Sequence, residues 1–185
     1  MTDAPDDLPI QRAREGFPDA WDALFQRYQL PLYAYVCELV RDRQAALDIV
    51  QETFINATRH LASLREDGKF GGWLFGIAHQ KCIQRWRGEA REKTLFAEDG
   101  DLAAAEYADF ADAPTDLLIR KEQEAEFMEL LNELPLPQRS VLLLHFIEGF
   151  SIEEIASITG AQAGTVKSRM HYAKKTLRVL LEGRP

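Results

Sequence analysis

Between Thr165 and Arg178 the chain carries five bases, Lys167, Arg169, Lys174, Lys175 and Arg178, and no acid. Such bases neutralise phosphates, and Ser168, Arg169 and His171 standing among them can reach base edges in a major groove. From Lys69 to Arg87 a second run interleaves aromatics with bases: Phe70, Trp73, Phe75 and Trp86 beside Lys69, Lys81, Arg85 and Arg87. Aromatic faces hold unpaired bases by stacking, worth roughly 1–3 kcal/mol per base, while the cations follow the backbone. Both runs also admit a plainer reading. A basic run can be a solvated helix face, and the aromatics can be core, the favoured place for Trp73 and Trp86 taken singly. Catalysis finds no support: there is no nucleophile–base set, no phosphate-cradling glycine loop and no metal constellation. Cys37 and Cys82 lie far apart, with no CxxC or zinc spacing, and read as two reduced thiols with one or both in a core.

The elements that must hold the first run are legible. Ser151-Ile152-Glu153-Glu154 is a capping box, and Phe150 and Ile155 occupy the two positions of a hydrophobic staple. Ile152, Ile155, Ala156 and Ile158 make a short apolar helix. Thr159-Gly160-Ala161 breaks it, with Gly160 free to take positive φ. Val166, Met170, Ala173, Leu177 and Leu180 then recur at spacings of four, three, four and three, one buried stripe. At about 100° per residue, Lys167, Ser168, His171, Lys175 and Arg178 fall on the opposite side, with Arg169 on the flank. A short helix, a glycine turn and a second helix with a basic outer face is helix-turn-helix organisation. The alternative is a helical hairpin with a solvated face. The absence of acids favours DNA.

The second run ends a helical module over about residues 8–95. Asp19 can cap a helix carrying Trp21, Leu24, Phe25 and Tyr28. Pro31 is expected to break or kink it, after which Leu32, Tyr35, Val36 and Leu39 continue the apolar face. A further helix runs from about Gln44 to His60, with Leu47, Val50, Phe54, Ala57 and Leu61 as its buried stripe. Gly68, Gly71 and Gly72 mark a loop, and a last helix follows from Trp73 to Gly88. Downstream, Phe127, Leu130, Leu131 and Leu134 form a stripe. Pro135 and Pro137 end that helix, Pro137 opens the next, and Gly149 closes it.

The charge pattern sharpens the division. The 185 residues carry a net charge of −8, which on its own speaks against nucleic acid. Yet residues 98–116 hold seven acids and no base, and Lys81–Lys93 hold five bases against two acids. The acidity therefore sits in one Ala-rich stretch with Gly100 and Pro114, over about 94–115, which reads as a linker. Alternating apolar and polar runs of the kind a sheet needs are missing. The fold class is all-α: two small helical domains, 8–93 and 116–183, joined by a flexible acidic linker, 94–115. The N-terminus has no apolar signal segment, and no apolar run approaches the roughly 20 residues a membrane span needs. A cytoplasmic protein with no membrane insertion is expected.

Two blocks of residues resemble a known family. Leu134-Pro135, Arg139, Val141-Leu142-Leu143-Leu144, Glu148-Gly149-Phe150-Ser151-Ile152-Glu153-Glu154-Ile155-Ala156 and Gly164-Thr165-Val166-Lys167-Ser168-Arg169 resemble domain 4 of bacterial sigma factors. Leu32-Tyr33, Asp48-Ile49-Val50-Gln51-Glu52-Thr53-Phe54, Phe70 and Trp73-Leu74-Phe75-Gly76-Ile77-Ala78 resemble domain 2. With no long segment between them, the blocks are similar to the extracytoplasmic-function (ECF, group 4) subfamily of sigma-70. Three features depart from the usual pattern. Gly71-Gly72 stand where bulkier or polar residues are common, Gly76 lies inside a helix at a cost of about 1 kcal/mol relative to Ala, and Lys81 replaces an apolar residue.

The resemblance implies a dissociable, non-enzymatic subunit of bacterial core RNA polymerase that directs it to promoter DNA and needs no cofactor. Domain 4 would read the −35 element through Thr165, Lys167, Ser168, Arg169, His171 and Lys175. Domain 2 would capture the melted −10 element through Phe70, Trp73, Phe75, His79, Gln80 and Arg85. It would bind the polymerase clamp through Asp48, Gln51, Glu52 and Ile55, an acidic helix face with one apolar contact that suits a basic partner. The linker would lie in the RNA exit path, and an anti-sigma factor or other regulator would hold the protein inactive. Two competitors remain at this level. A free-standing helix-turn-helix regulator leaves the domain 2 block unexplained, and a helical adaptor that binds only protein leaves the acid-free basic helix unexplained.

Overall fold

The structure is a computed structural model and describes residues 8–94 and 128–182. All its regular elements are helical, and no strand occurs among the described residues. The expected linker, apart from its first residue, lies outside them, as do Phe127 and the expected start of the second domain.

The first unit holds α1 (Ile10–Arg14), α2 (Pro18–Val40), α3 (Arg43–His60) and α4 (Phe70–Thr94). Pro18 opens α2, where its missing N–H costs nothing. Asp19 is not the cap; it sits in the first turn and pairs with Arg12 at 2.7 Å. Pro31 does not end α2, which runs through it as one helix of 23 residues. The reason is packing on both sides of the proline. Leu24, Leu32, Tyr35 and Val36 are all buried, each worth about 1.5–3 kcal/mol, together more than the roughly 3 kcal/mol an internal proline costs. Asp42 caps α3, its Oδ1 accepting from the Gln44 and Ala45 amides at 2.9 and 3.1 Å. The buried stripe of α3 is Ala46, Ile49, Val50, Phe54 and Ala57; Leu47, expected in it, faces solvent.

Gly71 and Gly72 are not loop residues. They form the first turn of α4, which begins at Phe70 and outlasts its expected end at Gly88. Gly71 lets the Tyr28 ring of α2 lie close, since a β-carbon there would stand 3.3 Å from it.

The second unit begins with helical residues 128–132 (α5). Next comes α6 (Leu136–Leu142), which widens into a π-helical turn, Leu143–Ile147, and ends at Gly149 with φ 75°. Ser151 caps α7 (Ile152–Thr159) in a full capping box. Its Oγ accepts from the Glu154 amide at 3.3 Å, and Glu154 Oε2 accepts from the Ser151 amide at 2.8 Å. Gly160 takes φ 67° and turns the chain into α8 (Ala163–Glu182). Val166, Met170, Ala173 and Leu177 bury one face of α8.

The two units pack on each other. α7 lies on α4 and α6 touches α2, so Phe75 and Phe150 meet edge to face at 5.2 Å. Arg139 Nη2 donates to the Leu39 carbonyl at 3.3 Å, and Arg41 Nη2 donates to the Asn132 carbonyl. Their apolar residues form one continuous core.

Candidate nucleic-acid interface

On α8 the expected face is present. Lys167, His171, Lys175 and Arg178 are exposed, while Thr165, Ser168 and Arg169 are half-buried at its edge. Lys174 lies 5.4 Å from the Phe146 ring. Gly160 fixes the angle between α7 and α8, and the capping box fixes where α7 begins, so this face is aimed by two local devices the sequence encodes.

Arg169 does not point the same way as the rest. It lines a cleft of about 760 Å³ between the units, together with Arg41, Arg85, Arg87, Arg139 and Trp86. Among the described residues, five arginines and no carboxylate line this cleft, which brings Arg85 and Arg87 of one basic run to Arg169 of the other, about eighty residues on in the sequence. Trp86 is 44% exposed rather than core. Arg85 stands 3.4 Å from Asp42, a long ion pair. Arg139 is buried with its Nε unbonded, and burial followed by the nearby Arg41 charge lowers its pKa.

α4 departs from expectation. Gln80 and Arg85 are exposed and Trp73 is half-buried, but Phe70 and Phe75 are fully buried and His79 is 6% exposed. Phe70 packs against Tyr28 and Trp73, at 5.3 and 5.9 Å between rings. Phe75 sits between Tyr35 and Phe150. The His79 Nδ1 and the Tyr35 hydroxyl are hydrogen-bonded at 2.8 Å. Burial, helped by the Arg169 charge, lowers the His79 pKa to about 4, so the ring is neutral. Burial likewise pushes the Cys82 thiol up to about 12 and the Glu148 carboxyl up to about 7. Phe70, Phe75 and His79 are therefore not available to a ligand in this arrangement. Phe70 is held by its own unit, whereas Phe75 and His79 are covered in part by the second one.

On α3, Asp48, Gln51, Glu52 and Ile55 are all exposed and share one side of the helix. Glu52 is engaged by Lys81 at 2.6 Å, which gives the unusual Lys81 a partner across from α4. Gln44 donates to Asp48 at 3.2 Å. Leu47 joins this face, one turn before Gln51 and two before Ile55. The i, i+4, i+8 spacing of Leu47, Gln51 and Ile55 could have revealed it. Arg139 and Arg41 as ties between units had no such signal, because their partners are backbone carbonyls remote in sequence.

Residues 24–92 match the profile of Sigma-70 region 2, and residues 124–177 match Sigma-70, region 4. The chain is 30% identical to the RNA polymerase sigma-H factor of Pseudomonas aeruginosa, covering 98% of this chain and 96% of that one. It is 30% identical to the ECF RNA polymerase sigma factor SigW of Bacillus subtilis, over 91% and 92% of the two. Among solved structures it is similar to the sigma factor RpoE from Bartonella quintana in complex with the anti-sigma factor NepR. That match has a TM-score of 0.63, with 28% identity over 88% of this chain and 99% of that one. It shares its fold with CnrH in complex with the cytosolic domain of CnrY, at a TM-score of 0.69 and 23% identity.

Proposed function

The chain belongs to the sigma-70 family, in its extracytoplasmic-function subfamily, and directs promoter-specific transcription initiation; from that premise we propose which residues do the work. Domain 2 spans residues 8–93, the acidic linker 94–115 and domain 4 residues 116–183. Thr165, Lys167, Ser168, His171 and Lys175 read and hold the −35 duplex, and Arg169, which lines the cleft between the units here, joins them when the units separate. Trp73, Gln80 and Arg85 meet the −10 strand in the present arrangement, and Phe75 and His79 join them only when the second unit moves away. Phe70 keeps α4 in place from beneath. Asp48, Gln51, Glu52 and Ile55, with Leu47 added, form the contact to the polymerase clamp.

One observation carries this reading best: a helix-turn-helix whose outer face bears bases and no acid stands on the same chain as an exposed acidic and apolar face on α3. The first suits phosphates and base edges, the second a basic protein surface. The protein has no catalysis of its own in this scheme, since bond formation belongs to the polymerase. It works in the cytoplasm, where the polymerase and the promoter are; no described helix is long and apolar enough to cross a membrane. A regulator of the anti-sigma type is the expected brake, on the likeness to the RpoE–NepR complex.

Reconstituted transcription tests the proposal. Purified protein is added to bacterial core polymerase with a library of promoter fragments, and specific initiation above core alone is expected. No gain over core would defeat the reading.

A further inference from the structure

Gly72 and Gly76 stand one helical turn apart on α4, and the second unit covers the face they leave open. A β-carbon at Gly72 would lie 4.0 Å from the Phe150 ring. One at Gly76 would lie 3.9 Å from both the Cα and the carbonyl oxygen of Ile158. A bare β-carbon fits at such distances. A longer side chain at Gly76 would meet the Ile158 backbone, which cannot swing aside as a side-chain tip can. Two glycines on one face of a helix lower its stability, and here they allow α7 to approach closely. Around this seat the Phe75–Phe150 ring contact and the Arg139–Leu39 and Arg41–Asn132 hydrogen bonds join the units. Three residues after each glycine stand Phe75, which meets Phe150, and His79, both buried.

We propose that the Gly72/Gly76 groove of α4 is an intramolecular docking seat for Phe150 and α7, and that this contact is autoinhibitory. With α7 seated, the aromatic side of α4 is masked from unpaired DNA; with α7 displaced, Phe75 and His79 are uncovered. The masking rests on α4 being the −10 face, whereas the docking rests on the groove alone. The glycines that depart from the usual family residues thus acquire a role, because bulk at these positions would exclude α7.

The test uses the full chain and two readouts. Gly76→Leu should expand the molecule, seen as a larger radius of gyration by X-ray scattering, with helicity by circular dichroism retained. Gly76→Ala, whose β-carbon is accommodated, should stay as compact as wild type. Gly76→Leu should also bind a fluorescent mixed-sequence single-stranded oligonucleotide at least tenfold more tightly than Gly76→Ala does. Arg41→Gly, which removes one tie without adding bulk at the seat, should shift both readouts the same way by a smaller factor. This variant keeps the test decisive if the leucine chain does not fold. Compact Gly76→Leu and Arg41→Gly chains would overturn the docking. Expansion with no gain in oligonucleotide binding would overturn the masking. Expansion is read without polymerase or promoter, so it is independent of whether the wild-type chain supports initiation.

Discussion

His79 is buried at the edge of the arginine cleft with the Tyr35 hydroxyl 2.8 Å from its Nδ1, and this geometry makes its protonation a stability question. Its pKa is about 4 in the fold against an ordinary 6.5. Above pH 6.5 both folded and unfolded chains hold it neutral, and nothing is lost. As pH falls from 6.5 to 4, the unfolded chain takes up a proton that the folded chain refuses, and about 3 kcal/mol of stability drains away. Glu148 works in the opposite direction. With its folded pKa raised to about 7 from 4.5, the folded chain keeps a proton that the unfolded chain releases between those values. Stability therefore falls as pH rises from 4.5 to 7. Urea midpoints measured between pH 4 and 7.5 separate the two. His79→Gln should flatten the acid limb and Glu148→Gln the neutral one. A His79→Gln profile parallel to wild type would mean that the ring takes up its proton as readily in the fold as in the unfolded chain. On α8 the residues divide by reach. Lys175, exposed on the outer face, should act on phosphate, so Lys175→Ala should weaken binding of all duplexes and reduce the salt slope by about one contact. Arg169→Ala should instead alter preference at one −35 position by about 1–3 kcal/mol. Equal loss on every sequence would make Arg169 a backbone contact.

At the scale of elements, local chemistry was readable and packing was not. The capping box at Ser151 and the turn at Gly160 were legible because each involves residues within a few positions of one another, and both took the expected form. The stripe of α8 was legible for the same reason. Pro31 misled because its effect is local whereas the burial that outweighs it comes from α3 and α4. Gly71 and Gly72 misled likewise: as dipeptides they signal a loop, yet their neighbours Tyr28 and Phe150 belong to other helices. Leu47 was misassigned because a stripe of threes and fours has two possible edges, and only the packed partner decides between them. The candidate site divides along the same line. Exposure on α3 and α8 followed from periodicity, whereas the burial of Phe75 rests in part on Phe150, seventy-five residues downstream. The cap offers a direct check. Ser151→Ala should cost about 1 kcal/mol, within the usual 0.5–2 for a lost N-cap, read as a shift in the urea midpoint of the full chain. A change near zero would mean that packing on α4 alone sets where α7 begins.

For the whole molecule, the distribution of charge matters more than its total. The chain carries −8, of which residues 98–116 contribute −7, so the rest is nearly neutral and presents clusters of bases on α8 and around the arginine cleft. That acidic segment begins about a dozen residues after Trp86 and Arg87, which line the cleft. Tethered acids near a basic surface compete with DNA phosphates for the same cations, at an effective concentration no free anion of the buffer reaches. Competition of this kind should depress binding to arbitrary duplexes more than binding to a promoter, whose base contacts the acids cannot imitate. Replacing the seven acids by Asn and Gln should therefore tighten non-specific duplex binding several-fold at low salt. The gain should fade as added salt shortens the screening length below about 10 Å. Fluorescence anisotropy with a random-sequence duplex over a salt series measures this. A gain that persists undiminished at high salt would point to a conformational effect of the substitutions rather than to charge, and no gain at low salt would leave the acidic segment without a part in DNA selection.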